Sequence, residues 1–303
     1  TVNNGETVDY TSTYSSEYQN FSSMLYAGMY YNHPLSDKSR WNARYRGSVW
    51  PITNYEYRQY IDGVLYEPQN KDYSGYTHSE SLSLRYGTSI GKWKLDAGLE
   101  QEYENYDVSF EHITEAYEDT IIQVKEHYYN VLPSATVNFS VDSLQDIKLS
   151  YSRSVRTPYY SRLSDFVSKS SPVFYSTGNP DLEASAYNNI YLGYNLNRAM
   201  WNFSAELFLS TTSNEVATVS YPLSETISIS LPENIAFQSQ LGVDMSAYFT
   251  ISGKYSFTLS SSLYHSYLDA TSLGENMENI GVPVEDVIKR DYGFHVKMNS
   301  TFK

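Results

Sequence analysis

Between Ile147 and Leu196 two segments alternate strictly between apolar and polar residues. Ile147, Leu149, Tyr151 and Arg153 share one face of the first, opposite Lys148, Ser150, Ser152 and Ser154. Ile190, Leu192, Tyr194 and Leu196 repeat the pattern in the second. Successive side chains of a strand point to opposite faces, so this period-two patterning specifies strands with one apolar and one polar side. The segment joining them, dense in Ser, Tyr and Pro, is long for a connection in a compact soluble domain. It suits the outer side of a transmembrane barrel, whose turns on the other side stay short.

The same alternation recurs along the chain. Trp41, Ala43, Tyr45, Gly47 and Val49 form one apolar row, and Leu82, Leu84 and Tyr86 another. Further rows are Trp93, Leu95, Ala97 and Leu99, then Ala135, Val137, Phe139 and Val141, then Trp201, Phe203, Ala205, Leu207 and Leu209. Leu241 to Ile251, Tyr255 to Leu263 and Phe294 to Phe302 complete the series. The runs last about nine to eleven residues, the length of a tilted strand crossing a bilayer, whereas soluble sandwich strands last about five or six. Short turns are expected at Ser89-Ile90-Gly91-Lys92, Asn197-Arg198-Ala199 and Ser252-Gly253-Lys254. Long polar connections are expected from Pro51 to Gly75, Tyr103 to Tyr128, Arg156 to Ala186 and Asp269 to Asp291. Short turns on one side and long loops on the other predict an all-β, antiparallel transmembrane barrel with long extracellular loops. Residues 1–303 read as a single β-barrel domain or barrel fragment, with about twelve to fourteen strands.

Composition fits this reading. The chain holds 32 Tyr, 12 Phe and 4 Trp; aromatic rings suit strands and the membrane interface, where the ring is apolar and the hydroxyl stays wet. A secreted, Tyr-rich, sugar-binding β protein shares that composition. No apolar run approaches the ~18–20 residues of a membrane helix, but a barrel strand offers lipid only alternate residues. Thr1 to Glu6 carries no signal-peptide pattern. The absence of cysteine rules out disulfides, thiolate metal sites and Cys nucleophiles. A formal net charge of -14 disfavours nucleic acid as a partner and keeps polar loops soluble.

Ser150-Tyr151-Ser152-Arg153, Arg156-Thr157-Pro158-Tyr159-Tyr160 and Leu163-Ser164-Asp165-Phe166 together resemble a segment of the Bacteroidetes-type outer-membrane β-barrel proteins, within the TonB-dependent receptors. Tyr175-Ser176-Thr177-Gly178-Asn179-Pro180-Asp181-Leu182-Glu183 resembles that family's next element, with Ala184 where the family often has Pro. Leu231-Pro232-Glu233-Asn234-Ile235, Gly242-Val243-Asp244 and Asn299 to Lys303 follow in the same order, so the resemblance covers roughly the last half of the chain. It implies a 22-strand receptor barrel, of which this chain is a part or a shortened version. It also implies a location in the cell outer membrane of a Gram-negative bacterium and ligand import powered by the TonB complex through a plug domain. No plug-like segment is recognised before Tyr10. The ending in Met298-Asn299-Ser300-Thr301-Phe302-Lys303 points to a fragment, while Phe302 as a terminal aromatic suits a complete smaller barrel.

Catalytic patterns are lacking. The six histidines fall into no metalloprotease or triad spacing, and there is no nucleophile elbow or phosphate loop. An enzyme is not expected, and no metal or cofactor is called for. The acidic run from Glu100 to Asp119, with His112, offers oxygen ligands to a divalent cation but lacks the regular calcium-loop spacing, so a solvated extracellular hairpin is the simpler reading. Tyr159, Tyr160, Tyr175 and Asp165 are candidate ligand-binding residues, their rings able to stack on a planar or sugar-like ligand; the simpler reading is that the rings pack the loop against the rim. Arg153 and Arg156 are placed near the rim or lumen. The expected function is the barrel wall of an active importer of a small nutrient. Outer-membrane lipid, a surface-exposed lipoprotein or other envelope proteins are the further partners. Alternatives are a non-transporting barrel within a larger envelope assembly, or a soluble sugar-binding protein.

Overall fold

The computed structural model describes residues 2–3, 6–7, 14–61, 63–65, 71–112, 120–169, 173–252, 255–271 and 288–302. Two-residue strands β1 (Val2–Asn3) and β2 (Glu6–Thr7) pair only with each other. The rest is one sheet: β3 (Tyr14–Ser22), β4 (Leu25–Ser36), β5 (Ser39–Ile61), β6 (Val64–Leu65), β7 (Lys71–Ile90), β8 (Trp93–His112), β9 (Thr120–Ser140), β10 (Gln145–Arg156), β11 (Ser168–Lys169), β12 (Phe174–Ser176), β13 (Ser185–Asn197), β14 (Trp201–Pro222), β15 (Ser228–Ser252), β16 (Tyr255–Asp269) and β17 (Ile288–Phe302). The long strands pair antiparallel in chain order, a meander from β5 to β17 with short β6 after β5 and the loop holding β11 and β12 between β10 and β13. β3 and β4 both pair with the same side of β5, over Ile52 to Ile61 and Ser39 to Val49 respectively, and so form one strand broken at Ser23-Met24. Counted that way, eleven long strands make the wall among the described residues.

Pairing carries one apolar face across all of them. The row Val137, Leu149, Leu192, Leu207, Val243, Leu263 and Phe294 runs through seven adjacent strands by direct register. These side chains face outward and remain accessible; Leu207 is 48% exposed within the wall, and Phe294 on β17 is 73% exposed. A row of aliphatic side chains turned to the outside is what lipid requires and water penalises. The soluble sugar-binding alternative is incompatible with it. On β9 the outward apolar residues run from Tyr129 to Phe139. At ~3.3 Å per residue that is ~33 Å along the strand, or ~25 Å of height at barrel tilt, the thickness of the apolar band of an outer-membrane barrel. Aromatic rings gather at the turn end: Trp93 lies 4.5 Å from Phe139, and Phe249 stacks on Phe257 at 4.8 Å.

The strands are far longer than the nine to eleven residues expected. β8 has 20 residues, β14 has 22 and β15 has 25. Segments read as the loops 51–75 and 103–128 are largely strand, since β5 continues to Ile61, β7 starts at Lys71, β8 continues to His112 and β9 starts at Thr120. The physical reason is a switch of face. On β8 the apolar residues point outward at Trp93, Leu95, Ala97 and Leu99, but inward at Tyr106, Val108 and Phe110. β9 switches likewise, from Val131 and Tyr129 outward to Val124 and Ile122 inward. Beyond the lipid the outer face meets water and becomes polar, and the inner face acquires a small core: Ile52, Tyr106, Val108, Phe110, Val124, Tyr160, Leu163 and Leu182.

The turn side agrees with the sequence reading. β7 and β8 are joined by Gly91-Lys92, with Gly91 at φ 59°, and β13 and β14 by Arg198-Ala199-Met200. Residues 253–254 between β15 and β16, and 272–287 between β16 and β17, lie outside the described residues. The loop predicted from Arg156 to Ala186 is present, from the end of β10 to the start of β13.

Candidate functional site

That loop folds inward over the mouth of the wall. After Arg156 and Thr157, a 3-10 turn (Tyr160–Arg162) reverses the chain, closed by Arg162 N–H donating to Tyr159 O (2.8 Å) and Leu163 N–H donating to Tyr160 O (3.1 Å). Tyr160, Leu163 and Leu182 are the loop's contribution to the inner core. The Tyr160 ring meets Tyr106 at 6.2 Å, Tyr73 at 6.1 Å and Phe110 at 6.3 Å. Each such aromatic contact contributes on the order of 1 kcal/mol beyond area burial. Burial, then the hydrogen bond from Tyr159, raises the Tyr160 phenol well above the usual tyrosine range; burial does the same to Tyr106.

The loop's polar fastening uses Gly178 to Glu183 and Leu231 to Asn234, two pieces far apart in the sequence. Gly178 N–H donates to Ser164 O (2.9 Å) and Asn179 N–H to Arg162 O (2.7 Å). A Cβ at Gly178 would lie 2.4 Å from Ser164 O and 2.5 Å from Arg162 O, so no other residue fits without moving backbone. Asn179 Oδ1 accepts from Asp181 N–H (2.9 Å), an Asx turn held by Pro180, while Asn179 Nδ2 donates to Pro232 O (3.2 Å) on β15. Asn234 then accepts from Glu183 N–H (2.8 Å) and donates to Glu183 O (3.0 Å) and Asn214 O (2.8 Å). Asn214, at φ 56° in the bulge of β14, donates to Glu183 Oε2 (2.6 Å). Short β12 adds a parallel pairing with β15. On the other side, Tyr128 Oη donates to Leu182 O (3.1 Å), and both Thr157 and Tyr106 donate to Glu104.

The four candidate ligand residues do not converge on one point. Tyr160 is buried in the inner core; Tyr159 lies against it at 4.2 Å and is 57% exposed. Tyr175 is half-buried on β12, in register with Lys169 and Ile229, and Asp165 is exposed. Of the four, Tyr159 alone lines the cleft beside Arg156. Arg153 lies on the outward side of β10 and Arg156 on the inward side, its guanidinium 5.7 Å over the Tyr187 ring. Along the acidic run, Glu100, Glu102 and Glu104 line the inner wall, with Arg46 Nη2 bonded to Glu100 Oε1 at 2.5 Å. No group of three potential metal ligands is found among the described residues; residues 113–119 lie outside them. Sequence reasoning missed Asn179, Asn214 and Asn234 as fasteners and Arg162, Tyr187 and Glu215 as cleft residues. Only the positive-φ preference of Asn gave any local signal of this.

Three comparisons bear on this architecture. No curated protein matches the chain. Among solved structures, the hemophore receptor HasR of Serratia marcescens, solved with its hemophore HasA and heme, has a TM-score of 0.59 at 12% identity, over 83% of this chain and 44% of that one. The ferric citrate transporter FecA has a TM-score of 0.59 at 13% identity, over 86% of this chain and 37% of that one. The FrpB iron transporter from Neisseria meningitidis has a TM-score of 0.50 at 10% identity, over 94% of this chain and 49% of that one. The chain thus spans about half, or less, of the length of these proteins, and at such identities the likeness is one of fold. A family profile described as "Outer membrane protein beta-barrel family" matches residues 1–303. With its lipid-facing wall, polar inner face and infolded loop, the chain belongs to the outer membrane protein beta-barrel family.

Proposed function

We propose that this chain is part of the wall and mouth of an outer-membrane importer that takes up a small ligand by a TonB-powered step, in a Gram-negative bacterium of the Bacteroidetes type. The observation that carries the reading is the infolded loop. Residues 156–169 and 173–183 are fastened against the inner face by a hydrophobic core and by the hydrogen bonds of Asn179 and Asn234, which narrows the mouth. Such a mouth suits selective capture followed by energised release. The structural likeness to transporters and receptors of iron, ferric citrate and heme-carrying hemophore supports a capture role, and the ordered motif pieces at Gly178 to Leu182 and Leu231 to Ile235 support the Bacteroidetes-type assignment. The eleven strands are proposed to be one stretch of a larger wall, with the plug and the TonB contact supplied outside the described residues.

Uptake by intact cells tests this. Deleting the gene should abolish accumulation of one nutrient, and a protonophore should mimic the deletion. Uptake that survives the protonophore would indicate passive diffusion. Unchanged uptake, with a stable set of co-purifying envelope proteins, would favour the non-transporting assembly role.

A further inference from the structure

Beside the infolded loop lies a cleft of about 250 Å³ lined by Arg156, Tyr159, Arg162, Tyr187, Glu215 and Val216, among others. It has the makings of a charge-selective subsite. Arg156 closes β10 on the inward side with its guanidinium carbon 5.7 Å from the Tyr187 ring centre, a cation–π contact that does not use its N–H groups. Arg162 is held at its backbone from both directions: its N–H donates to Tyr159 O, and its carbonyl accepts from Asn179 N–H. Among the described residues, neither arginine has a carboxylate within ion-pair distance. The cleft's one carboxylate, Glu215, already accepts a hydrogen bond from Tyr187 Oη (3.1 Å). Two arginines and one carboxylate line the cleft, which leaves it an excess positive charge in a chain of net charge -14.

Guanidinium forks recognise oxyanions in a bidentate manner that an ammonium cannot match. The exposed ring of Tyr159 adds an apolar wall at the same opening. We propose that this cleft binds the oxyanion end of a small anionic ligand, a carboxylate or phosphate group held between Arg156 and Arg162. The assignment rests on the import reading for its purpose, since it names the chemical class of ligand captured at the mouth; binding itself requires no transport.

The test is calorimetric titration of the full-length wild-type protein, purified in detergent, at low ionic strength. The probes are citrate, pyrophosphate and neutral maltotriose. Citrate or pyrophosphate should bind and weaken with added salt, and maltotriose should not bind. Binding of citrate alone would identify a carboxylate site, and of pyrophosphate alone a phosphate site. Arg156→Gln and Arg162→Gln should each weaken binding roughly tenfold, and the double variant should lose it. The heat-shifted mobility of the folded barrel on a gel confirms that each variant is intact. The proposal is overturned if neither anion binds wild type at millimolar concentration, if maltotriose binds as well as they do, or if the intact double variant binds undiminished. Anion binding without energised uptake would overturn import alone, and energised uptake without anion binding would overturn this subsite alone.

Discussion

At the scale of single residues, the mouth depends on positions whose neighbours are backbone atoms. Gly178→Ala places a methyl group against the carbonyls of Ser164 and Arg162 and should cost about 1–3 kcal/mol of loop stability. Limited proteolysis should then cut between Arg156 and Glu183 while the barrel stays folded. Asn234→Ala removes one acceptor and two donations; it should open the same segment by a comparable amount, because Glu183 N–H loses its partner. Tyr160 and Tyr106 make the loop sensitive to alkali. Their folded phenols ionise above the unfolded value of about 10, so their contribution is complete below pH 10 and is lost as pH rises beyond it. Ultraviolet titration should find both un-ionised at pH 11, with loop cleavage rising above pH 10; a pH-independent cleavage rate up to pH 12 would contradict this. Little of this could be seen in the sequence. Tyr159, Tyr160 and Tyr175 look alike there, and what separates the buried from the exposed ring is the facing inner wall of β7 and β8.

At the scale of elements, the lower halves of the strands were legible throughout, since lipid on one side and a polar lumen on the other enforce an unbroken alternation. The register follows from it: every outward row identified in the sequence falls on the lipid face. The upper halves were read as loops because the alternation there belongs to the opposite face. From Glu104 to Glu111 the chain still alternates, but with Tyr106, Val108 and Phe110 in even positions after Trp93, Leu95, Ala97 and Leu99 in odd ones. Asp107 and Glu111 looked like solvated loop when they are the outer face of a strand standing in water. The face assignment is testable on β14. Leu207→Arg should destabilise the folded barrel in lipid vesicles by about 2–4 kcal/mol, measured by urea unfolding, whereas Ser204→Arg on the inward face should change it by less than about 1 kcal/mol.

At the scale of the molecule, the edges decide how the wall is used. Among the described residues, β4 and β17 each have one unpaired side, and their outward side chains are more exposed than those of inner strands, as at Leu25 and Phe294. With eleven antiparallel strands, the first and last run in the same direction, so direct closure would demand a parallel seam in an otherwise antiparallel wall. Because the chain has no cysteine, paired cysteines placed along β4 and β17 in the intact protein report on this directly. On the proposed larger wall they should fail to cross-link under mild oxidation; efficient disulfide formation would mean a small, self-closed barrel. The change of face on β8 and β9 has a consequence of a different kind. It makes the membrane surface a reading-frame boundary written into the chain. Removing one residue from Gln101 to Asn105 would shift the outer half of β8 by one step, turning Tyr106, Val108 and Phe110 to the water and offering Asp107 and Glu111 to the loop. A one-residue deletion there would act as a frameshift in space, leaving the lipid-spanning half intact and stripping the mouth of its core.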